Sequence, residues 1–179
     1  MKPILQSLRL LMLLTLLTGV AYPLAVTAVA RLAFPKRSAG SLVWRDGKPV
    51  GSALLAQKFE GARYFWPRPS AGDYATVPSG ASNLGPTSEA LRKAIAERRA
   101  KYGADAPADM LTASASGLDP HISPQAASQQ VARVSAARRL PAERIAALVA
   151  EATEPPQYGI FGEPRVNVLA LNLRLDALK

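Results

Sequence analysis

Residues 10–30 read LLMLLTLLTGVAYPLAVTAVA, 21 positions without a charge between Arg9 and Arg31. At about 1.5 Å per residue, a helix over this run is roughly 32 Å long, close to the hydrocarbon thickness of a bilayer. Thr15, Thr18 and Thr27 can bond back to carbonyls of their own helix, and Pro23 with Gly19 predicts a kink that neighbouring helices could support. Gly19, Ala21 and Ala25 are small enough to let another helix pack closely. The competing reading is a cleaved signal peptide, since Lys2 and Arg9 form a positive start and Ala28-Val29-Ala30 has the A-x-A form. The apolar run exceeds the roughly 7–15 residues of a signal core, which favours a retained anchor. The chain therefore divides into a short tail at 1–9, a transmembrane helix at 10–30 and one soluble domain at 31–179.

Outward from the anchor, charge is the next guide. Of the net +9, Lys2 and Arg9 supply +2, and Arg31, Lys36, Arg37, Arg45 and Lys48 less Asp46 supply +4, so two thirds flanks the apolar run. Lipid headgroups are the natural counter-charge there. No folded basic stripe with interleaved aromatics marks a nucleic-acid surface. Positive residues stand on both sides of the segment, so charge bias alone does not orient it. The chain has no cysteine and one histidine, His121. Disulfides and thiolate chemistry are excluded, and a zinc centre is not expected.

About 150 residues follow the anchor, enough for one domain with its own core. Residues 38–51 predict two short strands turning at Asp46-Gly47, a dipeptide suited to positive φ. The stretch from Tyr64 to Pro86 is rich in Pro, Gly, Ser and Asn, but Tyr64, Phe65, Trp66 and Tyr74 give it the apolar bulk of an ordered loop. Helices are predicted from about Thr87 to Tyr102, with Thr87 as cap, and from Ser123-Pro124 to about Arg139. A third opens at Leu140-Pro141 and uses Ile145, Leu148 and Val149. A short apolar piece is expected at Met110 and Leu111. The tail VNVLALNLRLDAL fits either period, and its Leu, Ala and Arg content favours helix. Short strands with segregated helices predict an α+β class.

Catalytic patterns are sparse. Gly80 to Gly85 has the glycine spacing of a phosphate loop, but Pro86 stands where the phosphate-binding Lys belongs. The G-x-S-x-G elbow, the S-x-x-K pair and an aspartyl-phosphate D-K-T-G motif are absent from the sequence. Ser114, Ser116, Asp119 and His121 crowd together, yet triad members usually come from separate elements. A turn shaped by Asp119 and Pro120 is the simpler expectation. Glu143, Glu151 and Glu154 read as a solvated helix face rather than as an acid–base pair.

Four ordered motifs follow the hairpin: Gly51-Ser52-Ala53-Leu54-Leu55-Ala56-Gln57-Lys58-Phe59; Tyr64-Phe65-Trp66-Pro67-Arg68-Pro69-Ser70-Ala71; Ser82-Asn83-Leu84-Gly85-Pro86; and the run from Thr112 to Pro124. Gln130, Arg133-Val134, Gly162 to Leu169 and Leu171-Asn172-Leu173 continue the series. Over nearly its whole length, anchor included, the chain resembles the C subunit family of Kdp potassium-transporting P-type ATPases.

That resemblance implies a non-catalytic subunit of a bacterial potassium-scavenging pump, in which a P-type subunit hydrolyses ATP and a channel-like subunit carries the potassium path. The C subunit is required for assembly and is described as a catalytic chaperone that raises the ATP affinity of the hydrolysing subunit. Any ATP would be bound only together with the ATPase subunit, and a nucleotide-linked glutamine of the family matches Gln130. The expected location is the bacterial inner membrane, single-pass, with the amino terminus inside and the domain outside. Arg68 and Ser70, Ser82 and Asn83, and Ser114, Ser116 and Asp119 lie in rigid polar loops of the kind that position contacts to a partner. Gly19, Ala21 and Ala25 are the matching contacts within the bilayer. The alternative is a membrane-anchored extracytoplasmic binding or scaffolding domain unrelated to ATPase activity.

Overall fold

The computed structural model describes residues 2–178. Contacts divide the chain into two compact units that meet in sequence at Val50/Gly51, later than the 30/31 boundary drawn from hydropathy. The first unit is dominated by one continuous helix, Lys2–Ala33. It comprises α1 (Lys2–Leu16), a π-helical turn (Leu17–Ala21) and α2 (Tyr22–Ala33). The helix begins at Lys2, so the residues expected as a tail are helical. At 32 residues it is about 48 Å long, more than the bilayer core requires.

The π turn has a local cause. Pro23 offers no N–H and its ring crowds the preceding turn; one wider turn, closed by Tyr22 N–H donating to Leu17 O, precedes it. Thr18 and Thr27 donate to Leu14 O and Pro23 O, each at 2.7 Å. No side chain of α1 or α2 is buried, as an apolar helix awaiting lipid or a partner helix must be.

After α3 (Pro35–Ser38), β1 (Leu42–Arg45) and β2 (Lys48–Ser52) form the expected two-stranded sheet. Asp46 and Gly47 sit between the strands at φ 51° and 74°, the double positive-φ turn that suits the twist of a hairpin.

In the second unit, α4 (Glu89–Tyr102) packs with α5 (Ala108–Leu111), and α6 (Pro124–Arg138), α7 (Ala142–Ala152) and α8 (Val168–Ala177) pack against a small antiparallel sheet. Its strands are β3 (His121–Ile122), β4 (Thr153–Glu154) and β5 (Arg165–Asn167), in the order β3-β5-β4. Val166 pairs with both Ile122 and Thr153. The α+β class is observed, with the three strands β3, β4 and β5 inserted between helices rather than grouped ahead of them.

Local signals explain the helix starts. Ser123 Oγ accepts from Ala126 N–H and Pro124 fills the first turn of α6. The cap of α4 is Ser88, one residue beyond the expected Thr87, and Ser88 Oγ accepts from Leu91 N–H. The tail differs more. Val166 and Asn167 belong to β5, and helix starts only at Val168, because Asn167 Oδ1 accepts from Ala170 N–H and caps it. The core joins Phe65, Met110, Ile122, Val134, Ile145, Val166 and Leu171.

Candidate functional site

Between Ser52 and Glu89 the chain has no regular helix or strand, yet Phe65 within it is fully buried. Backbone taken from water without a sheet partner needs other hydrogen bonds, and α6 and α8 supply them. Asn172 Oδ1 accepts from Phe65 N–H at 2.8 Å, and Asn172 Nδ2 donates to Phe65 O at 3.0 Å. Gln130 does the same for the next residue, accepting from Trp66 N–H at 2.7 Å and donating to Trp66 O at 3.1 Å. Successive peptide groups of an extended chain point to opposite sides, so the two amides grip the segment from two sides.

Two arginines extend the grip. Arg133 Nη1 donates to Ala62 O and Tyr64 O, its Nη2 donates to Gln130 Oε1, and the guanidinium stacks 3.6 Å from the Trp66 ring centre. Burial pulls the Arg133 guanidinium down to about 10, still charged at neutral pH. Arg138 Nε donates to Arg63 O and its Nη2 to Asp176 Oδ1. Five consecutive carbonyls, from Ala62 to Trp66, are therefore held by side chains of α6 and α8.

The segment continues into Arg68, whose Nη1 donates to Asp119 Oδ2 at 2.9 Å. Asp119 Oδ1 accepts from the backbone N–H of His121 at 3.0 Å, and His121 Nδ1 stands 3.7 Å from the same oxygen. Burial alone would raise the Asp119 carboxyl; the His121 and Arg68 contacts outweigh it and hold the group down at about 2. Around this pair, Ser70 Oγ accepts from Gly72 and Tyr74 N–H, Tyr74 Oη donates to Arg68 O, and Ser114 N–H donates to Pro69 O. Gly117 has φ +71° and passes so close to Gly80 that a Cβ would lie 2.9 Å from its carbonyl oxygen. Only glycine fits that crossing.

The expected surface residues thus separate into two kinds. Arg68, Ser70, Ser114, Ser116 and Asp119 are brought together as the internal bracing of the loops, with Ser116 Oγ accepting from Leu118 N–H. Ser82 and Asn83 are exposed, and Asn83 holds φ +53°. Gly19 and Ala21 fall within the π turn and Ala25 on α2, all exposed, with open space around the Cβ position of Gly19. Gln130, expected beside a ligand or solvent, is buried with both ends of its amide on Trp66. Ser116, Asp119 and His121 form a braced turn rather than a nucleophile–base–orienter chain. Among the described residues no group of three or more His, Cys, Asp or Glu side chains gathers as for a metal ion.

Asn167 and Asn172 stand in the quoted motifs with no role of their own there, and Arg138 lies outside those motifs. An amide between Leu171 and Leu173 in an apolar helix is itself a signal, because a buried polar group requires a partner. Asn167 satisfies the same rule through Ala53 O, to which its Nδ2 donates at 2.9 Å.

Fold and site together define a class: a membrane-anchored α+β domain whose buried polar groups are spent on bracing long loops into a fixed surface. Residues 4–177 match the family described as KdpC: K+-transporting ATPase, c chain. The chain is 57% identical over 190 residues to a potassium-transporting ATPase KdpC subunit from Polaromonas naphthalenivorans, covering 100% of this chain and 97% of the relative. It is 52% identical over 181 residues to the subunit of that name from Cereibacter sphaeroides, covering 99% and 96%. For Rhodospirillum rubrum the identity is 57% over 173 residues, covering 91% and 89%. The chain belongs to the KdpC family.

Proposed function

We propose that the chain is the accessory, non-catalytic subunit of an ATP-driven potassium uptake complex, which it helps to assemble and stabilise. The observation that carries this reading is the extent of the family match, residues 4–177, which runs through both the anchor and the domain. Its partners are the P-type ATPase subunit and the channel-like potassium subunit of the same complex, in the bacterial inner membrane. Gly19, Ala21 and Ala25 pack against a partner helix, and Ser82 and Asn83 form the polar contact that the braced loops present.

The family's nucleotide role is transmitted indirectly in this proposal. The residues around Gln130 do not fit a nucleotide as they stand, because both ends of its amide are bound to the Trp66 backbone. Arg133, the half-buried cation beside it, is taken up by Ala62, Tyr64 and Gln130. The adjoining cleft of about 170 Å³ is smaller than the roughly 300 Å³ at which drug-sized ligand pockets begin. A domain outside the membrane also has no access to cytoplasmic ATP. Any rise in ATP affinity is accordingly a property of the assembled pump, delivered through contacts with the hydrolysing subunit.

The test is purification of the tagged chain in mild detergent from membranes of potassium-starved cells. Recovery of a P-type ATPase and a multi-span partner, with potassium-stimulated ATP hydrolysis, is the expected result. A folded chain that emerges alone refutes the subunit reading and leaves an anchored scaffolding domain.

A further inference from the structure

The connection between β4 and β5 carries three large apolar side chains into solvent: Tyr158 is 83% exposed, Ile160 79% and Phe161 66%. They are held there by a built turn. Gln157 and Phe161 exchange both backbone hydrogen bonds, at 2.9 and 3.0 Å, and Gly159 N–H donates to Pro156 O at 2.9 Å. Tyr158 and Gly159 take φ of 56° and 75°, so the chain folds back at the tip. A closed turn that holds a Tyr, an Ile and a Phe away from the nearby core is a preformed recognition element, since contiguous exposed apolar groups mark protein or membrane contacts.

Charge decides between those two occupants. Residues 151–163 read EATEPPQYGIFGE, with no Lys or Arg and three carboxylates, of which Glu154 pairs with Arg165 at 3.1 Å while Glu151 and Glu163 are exposed, in a chain of net charge +9. An anionic lipid surface repels such a segment. A protein pocket with an apolar floor and a basic rim complements it.

Resting on the subunit reading above, we propose that the Tyr158–Phe161 tip docks into an apolar pocket rimmed by Lys or Arg on another subunit of the same pump. Ile160 and Phe161 are the anchors that fill the pocket, and Glu163 faces its rim. Anchors of this kind carry most of an interface's affinity while their neighbours mainly exclude water.

The test uses the full chain within the detergent-purified complex. A photo-crosslinking residue at Ile160 is expected to join a partner subunit, whereas the same probe at the exposed α4 position Lys93 does not. The I160S/F161S double variant is expected to lower recovery of the other subunits about tenfold, the effect of losing a hot spot. Glu163→Lys is expected to lower it in the same direction, with the loss shrinking as salt screens the rim. The substituted positions are exposed, so the variants should melt with the parent chain, and the crosslink reports on the tip without altering Phe161. If the unsubstituted chain recovers no partner, the subunit reading fails and takes this proposal with it. If it recovers its partners but the Ile160 probe joins lipid, a second copy of this chain or nothing, the tip proposal alone is overturned. The same holds if I160S/F161S assembles normally.

Discussion

Asn172 sits 2% exposed between two leucines, and its amide takes both the N–H and the carbonyl of Phe65. Truncation would leave two backbone groups without partners inside the core, each costing about 1–3 kcal/mol. Asn172→Ala is therefore expected to lower the unfolding free energy of the full chain in detergent by about 3 kcal/mol, read from its denaturation midpoint. An unchanged midpoint would show that the amide does not secure the segment. Asp119 offers a second measurement, in pH. Its carboxyl is held at about 2 against an ordinary 3.8, so the folded state binds the proton more weakly than the unfolded one. The stabilisation is complete above the unfolded value and is lost as pH falls through the folded value. Asp119→Asn is expected to melt below the parent at neutral pH, with the gap closing between pH 3.8 and 2. A gap independent of pH would assign the loss to shape rather than to charge.

At the scale of elements, what the sequence disclosed and what it hid separate by distance along the chain. The starts of α6 and α7 and the Asp46-Gly47 turn were legible because a cap, a proline or a positive-φ residue acts within a few positions. β3 and β4 were not, since two residues carry no alternation and become strand only by pairing with β5. The candidate site was legible in part: its aromatic bulk marked residues 64–66 as ordered. The grip on them was hidden, because Gln130 and Asn172 lie 64 and 107 positions away from the backbone they hold. In the anchor, Pro23 signalled a disturbance, and the structure resolves it as a π turn centred on Gly19 rather than a broken helix. A Cβ added at Gly19 meets no other side chain within 4 Å in the chain itself. Gly19→Ile is thus expected to leave the isolated chain's melting unchanged, apart from a few tenths of a kcal/mol in helix propensity, while lowering recovery of the assembled pump. Equal recovery of the complex would remove Gly19 from the helix–helix contact.

The whole molecule raises the question of which side of the membrane the domain occupies, and charge leaves it open. Lys2 and Arg9 lie before the apolar run, and Arg31, Lys36 and Arg37 lie after it, so the positive-inside bias has weight on both sides. The proposed reading puts the domain outside, in keeping with an indirect nucleotide role. The absence of cysteine from the chain makes the test clean, because a single introduced thiol is the only one the chain offers to a reagent. Ser82 is exposed on the domain and Gln6 is exposed near the start of α1, so the two positions report opposite ends of the anchor. Ser82→Cys is expected to react with a membrane-impermeant maleimide in cells whose outer barrier has been opened but whose inner membrane is intact. Gln6→Cys is expected to react only after that membrane is broken. The reverse pattern would put the domain beside cytoplasmic ATP, and the indirect route to nucleotide affinity would rest on the occupied Gln130 amide and the small cleft alone.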